Sequence, residues 1–343
     1  MLPMKKDSPP DNGKARVTMA AVGRMAGVSQ VTVSRALSHP GKVSPDTLRR
    51  IRDAIEVTGF VPNALAGALA SKRSNLITAL IPSLTNIVYS SFAATFSAQM
   101  RGHGYQILLS ETGFDPDAEA GLIAAHLSRR PDAMLLTGIH HSAETRRMLL
   151  GANIPVIEVW DVTDSPIDMC VGFNHVDAGR AAAHYLAERG YKAAATITAG
   201  DERAVRRQGA FATRFQEMTG AAVTDANTGG PASIGAGRRA LAHLIDQNGL
   251  TGGAVFCSSD LLAHGALIEA RHRGLVVPDD LALMGLGDQD FARDLEPALT
   301  TVMIDRVRLG HTAADALLTR LAGNTPETPV MNLGFEIIRR ASA

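Results

Sequence analysis

Residues 18–37, T-M-A-A-V-G-R-M-A-G-V-S-Q-V-T-V-S-R-A-L, read as two short helices broken at Gly27. Thr18 is placed to N-cap the first helix, on which Val22 and Ala26 lie four apart on one face. Gly27 supplies the permissive turn position, and Ser29 caps the second helix. Val33 and Leu37 are expected to point inward onto Val22, Ala26 and Val28. Gln30, Val31, Thr32, Ser34 and Arg35 are left on the outer face. Those side chains suit DNA: Gln and Arg reach base edges in the major groove, Val can touch a thymine methyl, and small hydroxyls bond phosphate oxygens. A plain helical hairpin would share the turn but would not call for that outer face.

A third amphipathic segment begins with Ser44 as cap and Pro45 at the first helical position, and carries Leu48, Ile51 and Ile55 at helical spacing. Arg49, Arg50 and Arg52 on it read either as a DNA-facing surface or as a solvated basic face. The string A-G-V-S-x-x-T-V-S-R-x-L, followed by G-F-V-P-N-A-L-A-G-A-L-A at 59–70, resembles the headpiece and hinge of the LacI/GalR family of transcription regulators. The resemblance extends over roughly residues 17–342; it departs at Ala21 and Gly23, where the family usually carries Asp and Ala.

Charge divides the chain in the same place. Overall it has 34 Lys and Arg against 34 Asp and Glu. Residues 1–75 hold 12 basic and 5 acidic residues, leaving 22 basic and 29 acidic for the rest. The basic end is therefore the expected polyanion-binding end, facing double-stranded operator DNA. Residues 1–16, with Pro3, Pro9, Pro10 and several charges, read as a disordered arm without the apolar segment of a secretory signal. No apolar run approaches membrane-spanning length, and the two cysteines, Cys170 and Cys257, have no metal spacing, so reduced thiols in a cytoplasmic protein are expected.

Residues 63–70 are alanine-rich, follow Pro62 and pass into a polar stretch, which reads as a short helix used as a linker. The resemblance implies a hinge that enters the minor groove, with Leu69 as the wedge between base pairs, Ala66 facing the groove and Asn63 near the backbone. A leucine packed on the body is the other reading of Leu69.

From residue 76 onward, apolar strand-like runs at 76–81, 105–109, 133–136 and 155–159 alternate with helical stretches, and a second set follows at 193–198, 254–257 and 281–286. The closing strings T-T-V-M-I and G-F-E-I-I-R supply further strands. The expected fold is an all-α helix-turn-helix headpiece (17–62), a hinge (63–74) and an α/β body (75–343) of two doubly wound parallel-sheet lobes. The resemblance implies a periplasmic-binding-protein-like body with several crossovers. The first lobe is expected at about 75–172 and 305–330, the second at about 173–304 and 331–343.

Ligands of such sheets sit at the carboxyl ends of strands, here in the cleft between lobes. Tyr89, after the first strand, reads as a pocket residue or a core tyrosine. Trp160, the only tryptophan, ends the strand P-V-I-E-V-W and can stack on a sugar face, with Asp161 beside it as another polar contact. The resemblance carries the family's effector-binding arginine onto Arg206, through the spacing Arg-x-x-Gly before Gly209. It carries two further polar contacts onto Ser259 and Asp288; for Arg203 and Arg207 a surface position is the better reading. The strings E-V-W-D, V-G-F-N-H and G-L-G-D are similar to those of the gluconate-operon repressors of the family, which implies a sugar acid or sugar effector.

Enzymatic readings find little support. G-A-G-R-R-A at 235–240 imitates part of a dinucleotide fingerprint but follows a Gly-Pro-Ala-Ser loop rather than a strand. His140 and His141 are adjacent, which is wrong for two ligands on one helix face, and no nucleophile elbow or phosphate loop occurs. No catalytic residue, metal or cofactor is expected. The sequence predicts a ligand-controlled regulator, in the sense of a repressor, that binds a near-palindromic operator as a homodimer, since one recognition helix reads only a few base pairs. The alternative is a sugar-binding protein or degenerate enzyme on the same two lobes without gene control.

Overall fold

A computed structural model of the chain describes residues 17–62, 73–113 and 116–343. They fall into two units, Met1–Ser74 and Asn75–Ala343. The expected arm at 1–16 and the hinge positions Asn63, Ala66 and Leu69 lie outside the described residues.

The first unit contains α1 (Met19–Ala26), α2 (Gln30–Ser38) and α3 (Pro45–Thr58). A helix leaves its first N–H groups unpaired, and a hydroxyl answers them at each start. Thr18 accepts from Ala21 N at 3.3 Å, Ser29 from Thr32 N at 3.2 Å, and Ser44 from Thr47 N at 3.4 Å. Gly27 closes α1 in the left-handed region at φ 65°, where a side chain would be strained. Val22, Ala26, Val33, Ala36, Ile51, Ala54 and Phe60 form the core. Leu37, expected inside, is 39% exposed, and Ala36 takes the core position because the buried stripe continues three residues after Val33 rather than four. Phe60, just past the left-handed Gly59, donates its N–H to Ile55 O and folds its ring under the same core.

The body consists of two six-stranded sheets. The first runs in the order β11-β5-β4-β3-β1-β2 and the second β12-β10-β9-β8-β6-β7. The first is built from β1 (Leu76–Ile81), β2 (Gln106–Glu111), β3 (Ala133–Thr137), β4 (Val156–Val159), β5 (Met169–Gly172) and β11 (Val330–Asn332). The second holds β6 (Ala194–Thr198), β7 (Thr224–Asn227), β8 (Gly253–Cys257), β9 (Leu281–Leu286), β10 (Thr300–Met303) and β12 (Glu336–Ile338). All ladders are parallel except β10 with β12. The central strands are apolar on both faces because helices cover both, as in A-M-L-L of β3, where four successive residues are buried.

The helices of the body are α4 (Ile87–Gly102), α5 (Pro116–Leu127), α6 (Ala143–Ala152), α7 (His175–Glu188), α8 (Glu202–Thr219), α9 (Ile234–Asp246), α10 (Asp260–His272) and α11 (Arg306–Leu321). The chain crosses between sheets after β5, after β10 and after β11. Because Val330–Asn332 pairs with Cys170–Gly172, the third crossing follows Asn332, two residues later than the division expected at 330. Helices α7 and α8 cross so closely that a Cβ on Gly179 would overlap Arg207 O. Gly179 thus lets α8 settle at the depth from which its arginines reach the interior.

One buried polar cluster lies in the first lobe. His141 Nδ1 is 2.9 Å from Glu119 Oε1, and its Nε2 is 3.3 Å from Glu158 Oε1, a carboxylate with no exposure. Burial works to lower the His141 pKa, but the hydrogen bond to Glu119 and the charges of Glu119 and Glu158 outweigh it and raise it to about 9. A folded pKa above the ordinary value contributes stability that is complete below the unfolded pKa of 6.5 and lost as pH rises through about 9. His141→Gln is accordingly expected to cost roughly 3 kcal/mol near pH 6 and much less near pH 10. Urea unfolding of both proteins across that range checks it; a cost independent of pH would assign the loss to packing alone.

Candidate functional site

The first site is the outer face of α2. Gln30, Ser34 and Arg35 are exposed, Thr32 is half-buried and Val31 is 65% exposed. The Thr18 and Ser29 hydroxyls each accept one capping bond, and Ser29 Oγ also lies 3.0 Å from Thr32 Oγ1. On α3, Arg49 and Arg50 share Asp46 at 2.7 and 3.4 Å, whereas Arg35 makes no ion pair among the described residues. Helix α2 therefore presents an uncommitted guanidinium, an amide, hydroxyls and an apolar spot on one surface, with no acidic residue in its first turn. These groups match a major-groove reader.

The second site is a cavity of about 190 Å³ in the body, between the carboxyl ends of the two sheets. The first lobe contributes Ser83 and Asn86 after β1, Tyr89 on α4 and Trp160 at the end of β4. The second contributes Asp201 at the N-cap of α8, Arg203 and Arg207 on that helix, Ser258 and Ser259 after β8, and Gly287 after β9.

Three of the residues singled out in the sequence meet here: Tyr89, Trp160 and Ser259. Their rings are arranged edge to face, Tyr89 on Trp160 at 5.5 Å and Trp160 against Phe92 at 5.8 Å. Trp160 has φ 71°, a left-handed backbone that is costly for an aromatic residue and that swings its indole off the strand onto the cavity wall. Ser259 lies on the wall, with its hydroxyl capping α10 by accepting from Leu261 N at 3.3 Å.

Arg206 and Asp288 do not line this cavity. Arg206 ion-pairs with buried Asp161 and with Glu202, one turn earlier on α8, so Asp161 is committed too. Asp288 turns its carboxylate to Arg340 at 2.7 Å, an ion pair to the C-terminal segment. The arginines that do face the cavity are Arg203 and Arg207, expected at the surface but only 8% and 6% exposed. A periodic signal for them was available. Arg203, Arg207, Phe211 and Phe215 recur every four residues on α8, and all four are buried. The Arg-x-x-Gly count anchored on Gly209; the buried Phe211 is the anchor that points to Arg207, one turn before it.

His175, the first residue of α7, completes the wall. Its Nε2–H donates to Trp160 O at 2.8 Å, while Nδ1 accepts from Arg207 Nη1 at 2.7 Å. That pattern requires the neutral ring. Burial, then the charges of Arg207 and Arg203, push its pKa well below the ordinary histidine value. Arg207 also donates Nη2 to Ser258 O at 3.2 Å, and Ser258 Oγ accepts from Ala199 N at 2.9 Å. Arg203 donates Nη2 to Tyr89 OH at 3.1 Å, a contact from the second lobe to the first. Burial raises the Tyr89 pKa, so the phenol keeps its proton and can donate it onward.

Three buried donors on this wall have no hydrogen-bond partner: Trp160 Nε1, Arg203 Nη1 and Arg207 Nε. Buried polar groups are nearly always paired, so donors left over around a cavity describe the acceptor that fits it. Of the charged groups lining the cavity, two are guanidiniums and one is the Asp201 carboxylate, which already accepts from Ala204 N at the start of α8. Among the described residues, no group of His, Cys, Asp and Glu could hold a metal ion, and no helix is long and apolar enough to cross a membrane.

Comparison with known proteins places both units of the chain in known families. The family model described as bacterial regulatory proteins, lacI family, matches residues 18–63, and a periplasmic binding protein-like domain matches residues 183–343. The chain is 33% identical over 332 residues to the HTH-type transcriptional regulator GntR of Pseudomonas aeruginosa, covering 95% of this chain and 96% of that one. It is 31% identical over 328 residues to the regulator GntR of Escherichia coli, with 94% and 98% covered. A crystal structure of a LacI family transcriptional regulator from Silicibacter pomeroyi superposes with a TM-score of 0.89 at 29% identity, over 95% of this chain and 99% of that one.

Proposed function

Because the chain belongs to the LacI family of bacterial regulatory proteins, we propose that the outer face of α2 reads operator bases and that the cavity of the body takes a sugar acid as effector. The protein is a ligand-responsive transcription regulator that binds operator DNA as a dimer. In this reading Gln30, Val31, Thr32, Ser34 and Arg35 meet the groove, with Thr18 and Ser29 near phosphates. The hinge at 63–74 connects headpiece to body, and Leu69 is its wedge. The protein works in the cytoplasm and performs no catalysis.

The observation that carries the acid effector is the set of unpartnered donors around a cavity whose charge is predominantly cationic. A carboxylate accepts from a guanidinium through charge-assisted bonds that a neutral hydroxyl cannot equal, and the hydroxyls of the same ligand suit Ser259 and the Trp160 N–H. Thermal-shift titration of the full chain with aldonic acids, the matching aldoses and purine bases tests this. A ligand at about 100 times its Kd stabilises by about 2.7 kcal/mol. Stabilisation by an aldonate in preference to its aldose is expected; a response to purines or neutral sugars alone would overturn the acid reading.

The DNA face has its own test. Arg35→Ala is expected to weaken operator binding by about 1–3 kcal/mol and to relax selectivity at one base pair of each half-site. Fluorescence anisotropy with a set of single-substitution operators reads both effects. Uniform weakening over every sequence would make Arg35 a phosphate contact instead.

A further inference from the structure

The two cavity arginines are not equivalent, and their bonding separates their roles. Arg207 already donates from both terminal nitrogens, Nη1 to the neutral His175 ring and Nη2 to Ser258 O, while its Nε has no partner. Its guanidinium joins the start of α7 to the end of β8, and those two bonds fix its orientation as part of the wall. Arg203 is different. Its Nη1 has no partner, and its Nη2 is held by the oxygen of a neutral phenol, a weak acceptor that a carboxylate can displace or share. Its nearest acid is Asp201, with Nε at 3.9 Å from an oxygen that already accepts from Ala204 N. Arg203 is 8% exposed, so its charge lies in a desolvated place with its ion pairing incomplete.

We infer that Arg203 is the residue that selects a carboxylate over a neutral sugar in this cavity, and that Tyr89 presents it across the cleft. The inference rests on the sugar-acid reading and adds which guanidinium makes the distinction. The Arg203 Nη1 and Nη2 edge receives the two carboxylate oxygens as a fork, and the Tyr89 O–H, released from accepting, donates to one of them. Tyr89 is held for this by its edge-to-face contact with Trp160, and the Arg203 Cζ sits 5.9 Å from the phenol ring. One anion thereby touches α4 of the first lobe and α8 of the second. Arg207 serves as a positioning residue for ligands of either charge.

The experiment measures Kd for D-gluconate and for D-glucose in the full-length protein, its Arg203→Met and Arg203→Lys variants and Tyr89→Phe, by calorimetric titration with competition for the weaker ligand. Arg203→Met is expected to lose about tenfold or more in gluconate affinity while its glucose affinity stays within about threefold, so the acid-to-neutral ratio collapses. Arg203→Lys keeps the charge without the fork and is expected to retain part of the preference. Tyr89→Phe is expected to weaken gluconate selectively, by about three- to tenfold. Operator affinity without ligand serves as the folding control for each variant, and Arg203→Lys and Tyr89→Phe carry the test if Arg203→Met does not fold. Equal losses for both ligands would overturn the role given to Arg203 while leaving a sugar acid as effector. A parent protein that binds gluconate no better than glucose would instead remove the sugar-acid reading itself.

Discussion

Phe211→Ala is expected to destabilise the body by about 3–5 kcal/mol, the range for emptying an aromatic position in a closed core. The Phe211 ring has no exposure and stacks on Phe256 at 5.1 Å and on Phe215 at 5.7 Å, joining α8 to the strand β8. The facing helix α7 is already at contact distance from α8 at Gly179, which limits how far the two helices can close over an emptied position. The loss should reach the cavity as well, since Arg203 and Arg207 ride on the same stripe of the same helix. Effector affinity is therefore expected to fall although Phe211 does not line the cavity. Trp160 is the only tryptophan and lies in the body, so its fluorescence during urea unfolding reports this unit without interference from the headpiece. Phe211→Leu, which keeps most of the volume, should cost about 1.5 kcal/mol or less. A Phe211→Ala protein within about 1 kcal/mol of the parent would mean that α8 is anchored elsewhere.

The headpiece was legible because its determinants are local. A hydroxyl three residues before a backbone N–H, a glycine at a left-handed turn and a proline at the first helical position each act within one turn of chain, and Thr18, Ser29, Ser44, Gly27 and Pro45 all do what their spacing suggests. The one misplaced side chain there, Leu37, reflects a choice between three- and four-residue steps that only the third helix decides. Central strands were legible for a related reason: strands covered on both faces must be apolar throughout. The edge strand β7, T-D-A-N, has one residue of four buried and carries no such mark; β11, V-M-N, is likewise an edge with no fully buried position.

The cavity was half legible. Tyr89, Trp160 and Ser259 stand at strand or helix ends, where topology alone directs them to the cleft. Arg206 and Asp288 were misdirected because their partners are distant in sequence. Nothing near Asp288 announces Arg340, 52 positions later, and Asp161 precedes Arg206 by 45. Short motif spacing placed an arginine on the right helix and missed its face by one residue, about 100° of rotation on a helix. The four-residue recurrence from Arg203 to Phe215 carried the rotation that the motif lacked.

Arg207→Met should separate the two cavity arginines from the other side. Removing the guanidinium leaves His175 Nδ1 and Ser258 O without their donor, and each buried acceptor left unmade costs about 1–3 kcal/mol. Loss of the desolvated charge offsets part of that cost. The His175 pKa should then rise, because one of the charges that depress it is gone, yet stay under the ordinary value, because burial is the larger cause and remains. A depressed folded pKa contributes stability that is present above the unfolded value and lost as pH falls through the folded one. The parent should therefore weaken below about pH 6.5, and the variant should show a shallower decline over the same interval. Histidine ring shifts followed by NMR, with His175→Gln to assign the resonance among the 11 histidines, read the first effect. Urea midpoints against pH read the second. Because Arg207 holds Ser258 directly and Trp160 through His175, gluconate and glucose should lose affinity by similar factors, about tenfold each. A loss confined to gluconate would transfer the carboxylate to Arg207 and leave Arg203 as the brace between Tyr89 and α8.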